Sequence, residues 1–145
     1  LIPLGIATGR PRNQAEYALD AAHIRDLFRV IVTHEDSVNA EQKHFAETGQ
    51  RVSFGKPHPF TLRQAARQIA PAHARCAYVG DTLDDMRAAN AAKSEMDFVS
   101  IGCLAPAEDK AMMRAEFERV GADVVIESPN ELVEIIKQKA SSYPR

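Results

Sequence analysis

Short runs of apolar residues alternate along this chain with segments whose apolar positions recur at helical spacing. Residues 2–7 form an apolar run that stops at Thr8-Gly9, which predicts a short buried strand. Pro11 suits the first turn of a helix reaching about Ala22, with Tyr17, Leu19 and Ile24 among its apolar contacts. Residues 28–33 predict a second strand. Residues 35–55 are polar and irregular, with a short helix expected over about 40–47, and long connections of this kind often carry function or move. Pro57 and Pro59 open a predicted helix that runs through Ile69 and stops before Pro71. Residues 76–79 predict a third strand and residues 84–93 a helix. A fourth strand is expected over 98–103 and a helix over 108–120, ended by Gly121. Residues 124–126 predict a fifth strand, and Pro129 starts a last helix with Leu132, Ile135 and Ile136 on one face.

Apolar strands alternating with amphipathic helices predict an α/β fold, a doubly wound, Rossmann-like parallel sheet covered on both faces. Right-handed crossovers bring the carboxyl ends of such strands to one edge. Three polar clusters are expected there: Thr8-Gly9, Gly55-Lys56 and Gly80-Asp81. The chain reads as one domain over 1–140 with a frayed tail over 141–145. It shows no internal repeat and no linker.

The 145 residues suffice for one domain with a real core. A formal charge of -2 gives no sign of a polyanion-binding surface, so no nucleic-acid partner is expected. No apolar stretch is long enough to cross a bilayer, and no membrane partner is expected. Cys76 and Cys103 both lie in apolar runs and are read as buried free thiols of a reducing compartment, which points to the cytoplasm. The chain opens at Leu1 without a methionine or the features of a signal peptide. Either processing removed something or the numbering begins inside a longer protein.

The acidic turn from Gly80 to Asp85 carries the strongest chemical signal. Asp81 and Asp85 are four residues apart, so a helical turn puts both on one side. Clustered carboxylates repel one another unless a cation or hydrogen-bond donors compensate. Magnesium (Mg2+), a hard cation with oxygen ligands, would do so. Alternatively, one aspartate caps the helix and the others sit at its positive end. Lys56 stands just before a helix start, where a cation is not favoured, which suggests neutralisation of phosphoryl oxygens or a plain surface lysine in a proline turn. Thr8 and the N–H groups after it either hold a phosphate oxygen or cap the following helix. His58 reads as a turn or capping residue. The histidines have no ligand spacing, so a zinc site is not expected.

In this order the three clusters resemble the haloacid dehalogenase superfamily, in particular its phosphoglycolate-phosphatase-like branch. Ile6-Ala7-Thr8-Gly9 is similar to the second family motif, Gly55-Lys56-Pro57-His58-Pro59-Phe60 to the third, and Val79-Gly80-Asp81-Thr82-Leu83-Asp84-Asp85 to the fourth. The resemblance implies a magnesium-dependent phosphohydrolase acting on a small phosphorylated metabolite. Thr8 and the Gly9 amide would hold the phosphoryl group, and Lys56 would neutralise it. Asp81 would contact the metal, and Asp85 would support the site from behind or through a metal-bound water. Asp84 falls at a variable position and is expected to pair with Arg87.

The family's first motif, an Asp-x-Asp whose first aspartate is the nucleophile, occurs nowhere in this chain. The resemblance therefore implies a core lacking its first central strand and its cap, both upstream of Leu1. The competing expectation is a non-catalytic phosphate- and metal-binding module. It would form a homo-oligomer or pair with the N-terminal segment through the open slot in its sheet. A receiver-type phospho-acceptor is disfavoured, because residues 1–9 offer no acidic pair.

Overall fold

The computed structural model describes residues 2–71 and 73–141. Five strands alternate with helices: β1 (Leu4–Ala7), α1 (Arg12–Ala21), β2 (Phe28–Val32), α2 (His34–Thr48), α3 (Phe60–Ile69), β3 (Cys76–Gly80), α4 (Leu83–Ala92), β4 (Phe98–Cys103), α5 (Lys110–Arg119), β5 (Val124–Ile126) and α6 (Leu132–Ser141). All strand pairs are parallel, as predicted. They form two sheets: β1 beside β2, and β3-β4-β5.

Helices cover both faces of the three-stranded sheet. On one face, Leu62 and Ala66 of α3 and Ala88, Ala89 and Ala92 of α4 pack over Phe98, with Cys76 and Tyr78 against them. Phe117 of α5 fills the rest of that side with Met86 and Leu104. On the other face, Ile101, Cys103 and Ile126 meet Leu132 and Ile135 of α6. Gly102 is required under Phe117, because a Cβ there would lie 2.6 Å from the phenyl ring. α3 packs on β1 and β2 and also on α4, so it joins the two sheets.

Between the sheets runs a groove of about 1060 Å³, lined by β1, β3, Leu62, Ile69 and residues of α6. The Thr8 N–H donates to Val32 O, and the Cys76 N–H donates to Asp97 O. Backbone groups alternate sides along a strand. Gly5 and Ala7 of β1, and Ala77 and Val79 of β3, therefore turn their N–H and C=O groups toward this groove. No described strand occupies it.

Three expectations need correction. The polar segment after β2 is not a loop with a short helix. α2 is a 15-residue helix. The Asp36 carboxylate accepts from the Thr33 N–H at 2.7 Å, and Gly49 closes the other end in the left-handed region with φ 72°. The helix is set by its caps and not by apolar spacing, which is why periodicity missed it. Tyr17 is 76 % exposed and is not an apolar contact; Ala15 is the residue α1 buries. Pro57 and Pro59 lie in the turn ahead of α3, which starts at Phe60. Helix α6 runs through Ser141, and the rest of the expected tail lies outside the described residues. No helix among them is long and apolar enough to cross a membrane. Both cysteines are free thiols, Cys103 buried and Cys76 half-buried.

Candidate functional site

The turn after β3 is built around Asp85. Thr82 is the N-cap of α4, and its hydroxyl oxygen accepts from the Asp85 N–H at 3.1 Å. Asp85 replies: its Oδ2 accepts from the Thr82 N–H at 3.0 Å, the Thr82 hydroxyl at 2.8 Å and the Asp81 N–H at 3.2 Å. This reciprocal capping box folds the acidic run back onto the strand end. Gly80 permits the approach, because a Cβ there would lie 2.6 Å from Asp85 Cγ.

The other carboxylate oxygen points at Lys56. Lys56 Nζ lies 2.5 Å from Asp85 Oδ1 and 3.1 Å from the Tyr78 hydroxyl. Asp85 is 3 % exposed, so this is a charge pair at the edge of the interior. Burial pushes the Asp85 carboxyl up, but the Lys56 ammonium and the Thr82 donors outweigh it and hold it below its ordinary value. The lysine that stood oddly before a helix is thus explained by a carboxylate 29 residues on.

The Lys56 turn rests on aromatic rings. Phe54 stacks on Phe60 at 5.2 Å between centroids and lies 4.9 Å from the His58 ring. His58 Nδ1 accepts from the Phe60 N–H at 3.2 Å, so of the two roles expected of it, turn or cap, it takes the turn, since the N-cap of α3 is Pro59. Burial and the neighbouring Arg63 lower its affinity for a proton, consistent with an accepting nitrogen.

Thr8 does not cap α1, whose N-cap is Pro11. Its oxygen accepts from the Arg10 N–H at 3.1 Å and closes a short turn, leaving its own proton available. Gly9 beside it is exposed, with open space around its Cα. Ala7, one residue before Thr8, offers its carbonyl to the Tyr78 hydroxyl at 3.1 Å. A relay of contacts thus runs from the end of β1 through Tyr78 to Lys56 and Asp85.

Asp81 and Asp84 differ from Asp85. Asp84 pairs with Arg87 at 2.9 Å, as expected. The Asp81 carboxylate is exposed and has no hydrogen-bond partner among the described residues, so it is the open oxygen donor of the turn. The described residues contain no cluster of three or more acidic, histidine or cysteine side chains able to hold a metal. One open carboxylate fits a magnesium ion that keeps its waters and takes further oxygens from elsewhere. It does not make a closed metal cage.

Two residues escaped the sequence reading. Thr82 carried a signal, the Thr-x-x-Asp of a capping box. Tyr78 carried a weaker one, a polar-tipped ring within an apolar strand.

These features define an α/β domain with a lysine-carboxylate pair and an open aspartate at the carboxyl ends of its strands. Residues 1–93 match the family model for haloacid dehalogenase-like hydrolases, and the chain belongs to that family. Among solved structures, it is similar to a hydrolase from Pseudomonas syringae, with 29% identity and a TM-score of 0.60 over 88% of this chain and 48% of that one. It is also similar to a HAD family hydrolase from Deinococcus radiodurans holding phosphate and sodium, with 24% identity and a TM-score of 0.67 over 99% of this chain and 55% of that one. A candidate phosphoglycolate phosphatase from Lactobacillus plantarum gives 21% identity and a TM-score of 0.61 over 92% of this chain and 52% of that one. The chain spans about half the length of these three structures. No curated protein matches it.

Proposed function

We propose that these residues are part of a magnesium-dependent phosphohydrolase that cleaves a small phosphate ester. The observation that carries the reading is the Lys56 ammonium, fixed by a buried carboxylate at 2.5 Å and linked through Tyr78 to the strand end that presents Thr8. A fixed cation beside free hydroxyl and amide donors suits a dianionic phosphoryl group and the charge it spreads in transfer. Thr8 and the Gly9 N–H bind the equatorial oxygens in this reading. Lys56 screens their charge, and Asp85 holds Lys56 in place. Asp81 is the metal ligand, and the magnesium supplies electrostatic stabilisation of the same oxygens.

The attacking group comes from a strand that enters the groove and pairs with the open edges of β1 and β3. An aspartate on that strand forms an oxygen-phosphorus bond as the ester phosphorus-oxygen bond breaks, and the leaving oxygen takes a proton from the second carboxyl group of the Asp-x-Asp motif. Water then gives a proton back to that second carboxylate as it attacks the aspartyl-phosphate, which releases inorganic phosphate and restores the first carboxylate. The groove supports this reading, since among the described residues no strand pairs with either of its edges, where Tyr78 alone reaches the Ala7 carbonyl, and its lining is largely apolar.

The test uses the complete protein with p-nitrophenyl phosphate. Turnover is expected to require magnesium, and Asp81→Ala is expected to lower kcat about a hundredfold or more. Full activity in EDTA or in that variant overturns the proposal. The absence of Asp-x-Asp favours a second reading for the 145 residues taken alone: they bind phosphate but do not turn over. Phosphate release by this chain without further sequence would refute it.

A further inference from the structure

The Tyr78 hydroxyl lies 3.1 Å from each of three groups: Lys56 Nζ, Asp85 Oδ1 and the carbonyl oxygen of Ala7. The first is a donor and the other two are acceptors. A phenol has one proton to give and can also accept. It therefore accepts from Lys56 and donates to Ala7 or to Asp85. Two protons of the Lys56 ammonium are then fixed, one on Asp85 and one on Tyr78, and the third has no partner among the described residues. Asp85 alone would fix one direction of a flexible ammonium. Tyr78 supplies the second, and its ring centroid lies 5.6 Å from Nζ.

Burial, Asp85 and Asp81 push the Tyr78 hydroxyl well above its ordinary range, so it stays neutral and keeps its proton. If a strand filled the groove and took the Ala7 carbonyl, Asp85 Oδ1 would remain as an acceptor for the Tyr78 proton, and acceptance from Lys56 would be kept in both arrangements.

We propose that Tyr78 is a positioning residue: with Asp85 it aims the free proton of Lys56 at the phosphoryl group bound by Thr8. The role rests on the phosphohydrolase reading, but the contact can be tested separately. In the complete protein, Tyr78→Phe is expected to lower kcat for p-nitrophenyl phosphate about tenfold with KM within about twofold. Acetylation of Lys56 by acetic anhydride, read by mass spectrometry against Lys93, is expected to rise severalfold. Lys93 is a fair reference because Asp123 holds it at 2.6 Å. In a Lys56→Ala background, Tyr78→Phe is expected to cost nothing further in kcat, whereas a purely structural role would cost the same in both backgrounds. Tyr78→Leu, which also lacks the hydroxyl, is expected to raise Lys56 labelling in the same way, and it serves where Tyr78→Phe does not fold. Unchanged Lys56 labelling in both variants, or equal losses in both backgrounds, overturns the proposal. A wild-type protein without phosphatase turnover sinks the functional reading instead, and labelling alone then decides whether Tyr78 holds Lys56.

Discussion

β4 and β1 are both short apolar strands, yet they occupy different worlds. β4 pairs on both edges and is covered by helices on both faces, and five of its six residues are buried. Among the described residues β1 pairs on one edge only, none of its residues is fully buried, and Leu4 is 45 % exposed. The three-stranded half is closed around Phe117, Met86 and Ile101, while the two-stranded half has one edge open to a groove. The site residues straddle this division: Thr8 belongs to the open half, and Lys56 reaches the closed half through Asp85. In this molecule the buried strand lies on one side of the site, and the open backbone lies along the groove on the other.

The sharpest way to break that contrast is to remove packing on each side. Phe117→Ala in the closed half is expected to cost about 3–5 kcal/mol, because the ring is fully buried over Gly102. Leu4→Ala in the open half is expected to cost under about 1 kcal/mol. Urea unfolding of the two variants gives both numbers. Equal losses would show that the open half is packed as tightly as the closed one.

A smaller change tests the join between strand and site. Gly80→Ala places a methyl against Asp85 Cγ, and overpacking of this kind costs about 1–3 kcal/mol. The variant is expected to displace Asp85 and to raise Lys56 labelling as well as lower the urea midpoint. A wild-type midpoint in Gly80→Ala would mean that the turn has room the geometry does not show.

The same division explains what was legible in the sequence. The strands and helices of the closed half follow apolar periodicity, and 98–103 and 124–126 match their predicted spans. Lys56, Asp81, Asp85 and Thr8 were readable as polar residues at turns, since strand-end glycines and prolines mark such places. The partner of Lys56 was not readable, because pairing across 29 residues depends on how α3 packs against α4. α2 was hidden because its caps, not its apolar positions, define it. Tyr78 was hidden because a ring in an apolar strand counts as core until its hydroxyl is seen to reach Ala7 and Lys56. The groove itself left no local mark, as strand order is a property of the whole chain.

The smallest expected effect concerns Asp123, which ties β5 to β4 in the closed half. Its carboxylate accepts from the Ser100 N–H at 2.7 Å and pairs with Lys93 at 2.6 Å. Burial pushes its carboxyl up, but the Lys93 and Ser100 donors outweigh that and hold it below the ordinary 3.8. A carboxyl lowered in the folded state adds stability above its unfolded pKa, and that stability is lost as pH falls through the folded one. The pair is more than a third exposed on the Asp123 side, so screening keeps its worth under about 1 kcal/mol. The difference in urea midpoint between wild type and Asp123→Asn is expected to be full at pH 7 and to narrow below about pH 4. The open half gives a control, since Leu4→Ala should show the same small difference at both pH values. A gap for Asp123→Asn that stays constant with pH would mean that the asparagine loses shape and not charge, and the closed half would then owe this junction to packing alone.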